Sequence, residues 1–325
     1  MSLALLFSPQ GSQAVGMGRD LADAWPQAAE VYRQADAALG WSVSATCWTG
    51  PEERLNDTRQ TQPCLVATSV ACLRALEAAV AGVGGRLEPA FVAGHSVGEY
   101  AALVAAGVLS LSDAVRLVAL RGSLMAETDV EGGMAAVLGL DREAVAEAVR
   151  RAADERGTPH DPVVANDNAP GQVVISGSRA ALAAATARLT AAGAKRVLPL
   201  KVSGPFHSPF MAEAGRRLSE AFEHVAWRDP QPPLIANVTA EPVRDAGQVR
   251  ELLARQVAAP VEWVRGVRRM VAEGVDTFVE CGPGQALSGM VKRIAPEART
   301  LNVADVASLE AAVRELTGVA AEASV

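Results

Sequence analysis

The heptapeptide Gly94-His95-Ser96-Val97-Gly98-Glu99-Tyr100 has the residue types and spacing of a reactive serine. It follows an apolar run, Pro89-Ala90-Phe91-Val92-Ala93, and precedes an Ala-rich helical stretch, Ala101 to Ala106. A Gly-x-Ser-x-Gly between a strand and a helix is a nucleophile elbow. The turn strains the serine backbone, and glycines on either side let strand and helix approach closely. The Ser96 hydroxyl is then presented at a helix N-terminus, where free N–H groups and the dipole favour a developing oxyanion. The bare pattern also occurs in ordinary Gly/Ser loops; the strand–turn–helix context separates the two.

A serine hydroxyl is a poor nucleophile without a general base. The chain has four histidines: His95, His160, His207 and His224. His95 adjoins Ser96, so its side chain points away from the serine's. His160 lies in the polar stretch Glu155 to His160, and His224 near the end of a helix; both read as surface residues. His207, in Gly204-Pro205-Phe206-His207-Ser208-Pro209, follows a small inserted segment and borders the cleft expected there. It is the best base, although alone it would pass for an ordinary loop histidine. No acid between Ser96 and His207 sits at a convincing strand end. A backbone carbonyl accepting from Nδ1–H would orient the ring without a carboxylate, making the site a Ser–His dyad. An oxyanion hole needs two donors. The Val97 N–H at the helix start is one, and Gln10, at the end of the first strand in Ser8-Pro9-Gln10-Gly11, is placed to deliver another. Arg121 lies in an apolar helix, Ala114 to Met125, where a guanidinium needs a carboxylate partner. An internal salt bridge, a snorkelling side chain or a substrate carboxylate held in Arg's planar fork would each satisfy it.

The elements that must position these groups read as α/β. Leu3–Phe7 is a continuous apolar strand suited to a parallel sheet covered on both faces. Helices are expected over Asp20–Leu39, Gln62–Ala81, Gln256–Ala272 and Gln285–Ile294, with Leu234–Val238 and Thr277–Glu280 as strands. Ser112 is expected to cap a helix running to about Glu127. Between these lies a segment with its own order: strand Met134–Leu138, helix Asp141–Ala153, strands Val163–Asn166 and Gln172–Ser176 across the turn Asp167–Gly171, helix Ser178–Ala192 and strand Arg196–Leu200. That β-α-β-β-α-β order is the split βαβ, or ferredoxin-like, unit. The expected organisation is therefore a discontinuous catalytic lobe, residues 1–130 and 201–325, with an inserted lobe at 131–200. The Ala-rich tail, Thr317–Val325, reads as frayed.

At 325 residues the chain is long enough for about two lobes. Half of it is hydrophobic, and 21% is charged. A net charge of −7 and the lack of a basic, aromatic-interleaved stripe argue against nucleic acid. Cys47, Cys64, Cys72 and Cys281 have no framework or metal-ligand spacing and read as small buried hydrophobes. No metal or redox cofactor is implied. The N-terminus has no basic n-region, and no run approaches a membrane span, so the chain reads as cytoplasmic.

The motifs together resemble the malonyl-CoA:acyl carrier protein transacylase family, the acyltransferases of fatty-acid and polyketide synthesis. The resemblance rests on Ser8-Pro9-Gln10-Gly11, Thr61-Gln62-Pro63, Gly94 to Tyr100, Arg121-Gly122, Gly133-Met134-Ala135-Ala136, Asn166 to Gln172, Gly204 to Ser208, Asn237-Val238-Thr239-Ala240 and Glu280-Cys281-Gly282-Pro283-Gly284. Any one is weak; nine in the family's order are specific. The resemblance implies an α/β-hydrolase-like large lobe with a ferredoxin-like insert. Ser96 would be the acylated nucleophile, and His207 its base and acid. Gln10 and Val97 would donate to the oxyanion through their backbone N–H groups. Arg121 would bind the malonyl carboxylate, and the Gln256 carbonyl would orient the histidine. Phe206 looks like the malonyl-type signature, where methylmalonyl-selective relatives have serine. Val97 stands where the family often has leucine, a departure of little consequence for a backbone donor. The substrates would be malonyl-CoA and the phosphopantetheine of an acyl carrier protein, the protein a monomer. Lys195-Arg196, Lys201 and Lys292-Arg293 are candidates for meeting an acidic carrier. The rivals are a standalone polyketide acyltransferase, an esterase or thioesterase, and a scaffold that kept the fold.

Overall fold

The computed structural model describes residues 2–319, so the tail expected to fray lies largely outside the described residues. Among the described residues ten strands form two sheets: β1 (Leu3–Phe7), β2 (Phe91–Gly94), β3 (Gly132–Leu138), β4 (Val163–Ala169), β5 (Gln172–Ser178), β6 (Arg196–Pro199), β7 (Leu234–Ile235), β8 (Pro242–Val243), β9 (Thr277–Cys281) and β10 (Arg299–Val303). The larger sheet runs β10-β9-β1-β2-β7-β8 and is parallel except where β8 returns against β7.

β1 is buried along its whole length, and its side chains alternate between two apolar layers as the strand period requires. Leu3, Leu5 and Phe7 join the main core; Ala4 and Leu6 join a smaller one with Trp263, Val267, Leu287 and Val291. A strand covered on both faces has no need of polar alternation, which is why this one reads as unbroken hydrophobicity. The main core is organised by the helix Thr58–Gly82, which packs against the helices Pro26–Leu39 and Leu111–Ala126. Contrary to the sequence reading, this helix is long and apolar enough to cross a membrane, with a mean hydropathy of 1.7 over its best window. Of that window, 78% is buried inside the protein, the property of a core helix apolar all round.

The second sheet is antiparallel, in the order β4-β5-β3-β6. The helices Arg142–Arg156 and Arg179–Ala191 cover one face through Val145, Val149, Ala185 and Leu189 against Val137, Val173 and Ile175. Its other face contributes Met134, Ala165 and Val174 to the main core. β4 is also stitched to residue 261: Asp167 donates its N–H to Val261 O at 3.0 Å, and Val261 donates to Ala165 O at 2.9 Å.

Several expected boundaries move for identifiable reasons. The segment Asp20–Leu39 is two helices, Arg19–Ala24 and Pro26–Leu39, because Trp25 is extended ahead of Pro26. The expected helix Gln256–Ala272 is likewise divided. One helix ends at Gln256 and the next starts at Trp263, with Pro260 in the connection, where it lacks a helical donor and restricts Ala259. Ser110, not Ser112, caps the helix Leu111–Ala126, its hydroxyl accepting from Asp113 N at 3.1 Å. The turn expected over Asp167–Gly171 shrinks to Pro170-Gly171, since Asp167, Asn168 and Ala169 continue β4 through register shifts.

Candidate active site

β1 and β2 pair with Phe7 opposite Gly94, so both chains leave the sheet side by side. The elbow that follows depends on its glycines. A Cβ on Gly94 would stand 2.0 Å from the Gly98 carbonyl carbon, and one on Gly98 would stand 2.2 Å from Phe7 O. Between them Ser96 has φ 54°, a left-handed conformation that costs a non-glycine residue of order 1–3 kcal/mol. Asn237 holds it there. Its Oδ1 accepts from Ser96 N at 2.7 Å and its Nδ2 donates to Gly94 O at 2.7 Å. Sequence reasoning used Asn237 only as part of a motif; the clamp spans 141 residues and left no local signal.

The structure brings Ser96 and His207 together, with Oγ 2.7 Å from Nε2. His207 Nδ1 faces two carbonyl oxygens, Gln256 O at 3.0 Å and Ala259 O at 3.1 Å. Two acceptors require the proton on Nδ1, leaving the Nε2 lone pair to take the serine proton. The helix break at Val257–Glu262 makes this geometry: an unbroken helix would have used Gln256 O for its own ladder. His95 turns the other way, its Nε2 2.8 Å from Asn168 Oδ1 and its ring against Trp263. His160 and His224 are exposed.

Arg121 is buried, and among the described residues no carboxylate pairs with it. Its guanidinium donates to neutral oxygens: Gln62 Oε1 at 2.7 Å, Gln256 Oε1 at 2.9 Å and Ser96 Oγ at 3.1 Å. The Gln62 and Gln256 side chains escaped the sequence reading, which had given Gln256 only its backbone carbonyl. Arg116, on the same helix, is exposed and lies 3.6 Å from Asp113.

Gln10 follows β1 in a turn closed by Ser12 N–H donating to Pro9 O at 3.3 Å. Its side chain donates to Thr58 Oγ1 at 3.2 Å. Neither the Gln10 nor the Val97 N–H donates to a backbone oxygen of the described residues. Val97 stands at the start of the helix Gly98–Ala105, where the dipole is positive. Phe206 is buried in the main core next to His207.

Burial, then the Arg121 charge, pushes His207 down to about 3. A histidine so depressed stays neutral, and competent as a base, well below the ordinary value of about 6.5. Ser96 acylation by a neutral ester such as p-nitrophenyl acetate should therefore lose no rate as pH falls through 6.5, the acid limb lying lower. Stopped-flow rates between pH 4 and 8 measure this. A limb at 6.5 would mean that His207 is solvated in solution.

The acyl transferase domain family matches residues 4–322. The malonyl CoA-acyl carrier protein transacylase of Bacillus subtilis (strain 168) is 39% identical over 97% of this chain and 97% of its own. Among solved structures, an acyl carrier protein S-malonyltransferase from Vibrio cholerae superposes with a TM-score of 0.90 at 40% identity, covering 96% of this chain and 100% of that one. A malonyl-transacylase solved with its type II PKS acyl-carrier protein gives a TM-score of 0.90 at 40% identity, covering 97% and 100%. Matches of this extent, on the dyad geometry above, mean that the chain belongs to the acyl transferase domain family, among its malonyl-CoA:acyl carrier protein transacylases.

Proposed function

We propose that this chain transfers malonyl groups from malonyl-CoA to the phosphopantetheine thiol of an acyl carrier protein in fatty-acid synthesis. One observation carries the reading: a buried guanidinium, bonded only to neutral oxygens among the described residues, stands 3.1 Å from a serine that is itself 2.7 Å from its base. A site built only for neutral acyl esters has no use for a buried cation without a direct ion-pair partner. A dicarboxylic thioester uses it, one end reacting at Ser96 while the other pairs with Arg121.

The reaction is ping-pong. His207 Nε2 takes the Ser96 proton as Oγ attacks the malonyl thioester carbonyl. The oxyanion lies between the N–H groups of Val97 and Gln10. The tetrahedral intermediate collapses, the CoA sulfur leaves, and it takes the proton back from His207. The carrier's thiol then enters by the reverse steps. Every proton is handled by side chains present in the chain, and no metal or redox group enters.

The large sheet with its elbow supports an α/β-hydrolase-like lobe made of residues 1–130 and 201–325. The second sheet supports a ferredoxin-like insert at 131–200, its central strands β5 and β3 coming from different βαβ halves. Lys195, Arg196, Lys201, Lys292 and Arg293 are all exposed. Lys195 lies over Gly139, and Arg293 reaches Pro170 O and, at 2.6 Å, Gln172 Oε1, so part of this charge gathers around the β4–β5 hairpin. That is the face we assign to an acidic carrier, with the protein acting as a cytoplasmic monomer.

Intact-protein mass spectrometry after brief mixing with malonyl-CoA tests the reading. A malonyl adduct that persists in water and discharges on adding holo acyl carrier protein is expected. An adduct lost to water without carrier would identify a hydrolase, and no adduct a scaffold.

A further inference from the structure

Glu99 is a buried carboxylate that the transfer steps do not use. It lies in the first turn of the helix Gly98–Ala105, 2% exposed. Oε1 accepts from Asn237 N at 3.2 Å and Oε2 from Gln256 Nε2 at 2.5 Å. The Gln256 amide is fully committed by this contact. Its other Nε2 hydrogen goes to Ser96 O at 2.8 Å, and Oε1 faces the Arg121 guanidinium at 2.9 Å.

An amide can be turned through 180°, and the two orientations differ here in electrostatics. Turned over, Gln256 would set its oxygen against the Glu99 carboxylate and the Ser96 carbonyl, three acceptors together, and its NH2 against a guanidinium, donor to donor. Burial pushes the Glu99 carboxyl up to about 7; above that pH it is ionised, only accepts, and selects the orientation that gives Arg121 an oxygen. The amide also keeps carboxylate and guanidinium apart. A direct contact would make an internal ion pair and occupy the fork that a substrate carboxylate needs. With the amide between them, Glu99 still favours the charged guanidinium at a distance, yet the fork is bonded only to neutral groups that a second carboxylate can join.

We propose that Glu99 is a positioning residue for malonyl selectivity, acting through the Gln256 amide to hold Arg121 aimed and free of a direct internal ion pair. The inference rests on Arg121 being the partner of the malonyl carboxylate. It concerns the choice of acyl group, not the serine chemistry, because Glu99 touches neither Ser96 Oγ nor His207.

The experiment compares kcat/KM for malonyl-CoA and acetyl-CoA, with holo carrier protein as acceptor, in wild type, Glu99→Gln, Arg121→Ala and the exchange Glu99→Gln with Gln256→Glu. Glutamine at 99 can accept from Asn237 N or from Gln256 Nε2, but not both without opposing donors. The malonyl-to-acetyl ratio is expected to fall roughly ten- to a hundred-fold in Glu99→Gln, the range for a lost hydrogen bond to a charged group, mainly through the malonyl KM. The exchange keeps one carboxylate and one amide but puts the carboxylate against Arg121, so the malonyl-to-acetyl ratio should stay low in it. If Glu99→Gln slows both donors equally, or the exchange restores malonyl preference, the inference fails. If Arg121→Ala leaves the ratio unchanged, the carboxylate reading itself fails, whatever Glu99 does. Should Glu99→Gln not fold, the exchange variant alone decides, its ratio being compared with wild type.

Discussion

Ser96→Ala should abolish the malonyl adduct and reduce transfer to carrier protein by roughly 10⁴- to 10⁶-fold, the range for removing the nucleophile of a catalytic unit. The substitution removes one oxygen that serves two contacts, the 2.7 Å bond to His207 Nε2 and the 3.1 Å bond from Arg121. It keeps the Cβ, so the elbow at φ 54° and its Asn237 clamp are retained and the fold should melt near the wild-type temperature. His207→Ala should cost a comparable factor, because a neutral serine without a base is barely nucleophilic. The double variant should be little worse than either single one, since groups that act as one unit are not additive. Steady-state rates with malonyl-CoA and holo carrier, together with intact mass, measure all three. Additive losses would mean that His207 acts on something other than Ser96 Oγ.

How much of this site is legible in the chain depends on sequence distance. The elbow is local: strand, two glycines and helix lie between residues 91 and 105, and the contacts that make the glycines necessary follow from the turn itself. The parallel sheet is legible for a similar reason, because β1 and β9 are buried on both faces and read as apolar runs. His207 required an argument about the cleft. The groups that hold the site were hidden. Asn237 and Glu99 sit in recognisable motifs and Gln256 at a helix end, but their side-chain partners across the site lie 135 to 160 residues away. Nothing in their own neighbourhoods says that they are buried or where they point. The break at Pro260 is locally legible, since proline cannot continue a helical ladder, whereas the expected helix Gln256–Ala272 runs through it. A helix ending there frees the Gln256 carbonyl from its partner four residues on, and it faces His207 Nδ1 at 3.0 Å beside a longer 3.4 Å bond from Ala259 N. The short strand β8 and the edge strand β10 carry too little apolar pattern to stand out from the loops around them.

Arg121→Ala should lower kcat/KM for malonyl-CoA by roughly 10²- to 10³-fold, while acetyl-CoA changes far less or improves. The site holds a buried cation bonded to Gln62, Gln256 and Ser96, with no carboxylate on it among the described residues. Burial lowers its pKa, yet a guanidinium remains charged in proteins. A malonyl group brings a carboxylate that pairs directly with the guanidinium. An acetyl group of similar reach leaves the cation unpaired, the kind of mismatch by which a polar site rejects an analogue. Removing the guanidinium strands the malonyl carboxylate in the same buried place, so the penalty is transferred from acetyl to malonyl. The loss is several kcal/mol for one donor, at about 1.4 kcal/mol per factor of ten, and small for the other. Arg121→Lys keeps the charge but loses the fork that spans Gln62 and Gln256, and should fall between wild type and Ala. The base is affected in a way that can be separated. Arg121 is one of the charges holding His207 down, so Arg121→Ala should also move the acid limb for neutral-ester acylation upward, toward 6.5. A selectivity change without that shift would place the guanidinium farther from the dyad in solution than 3.1 Å from Ser96 Oγ allows. Equal losses for both donors would remove Arg121 from substrate recognition altogether.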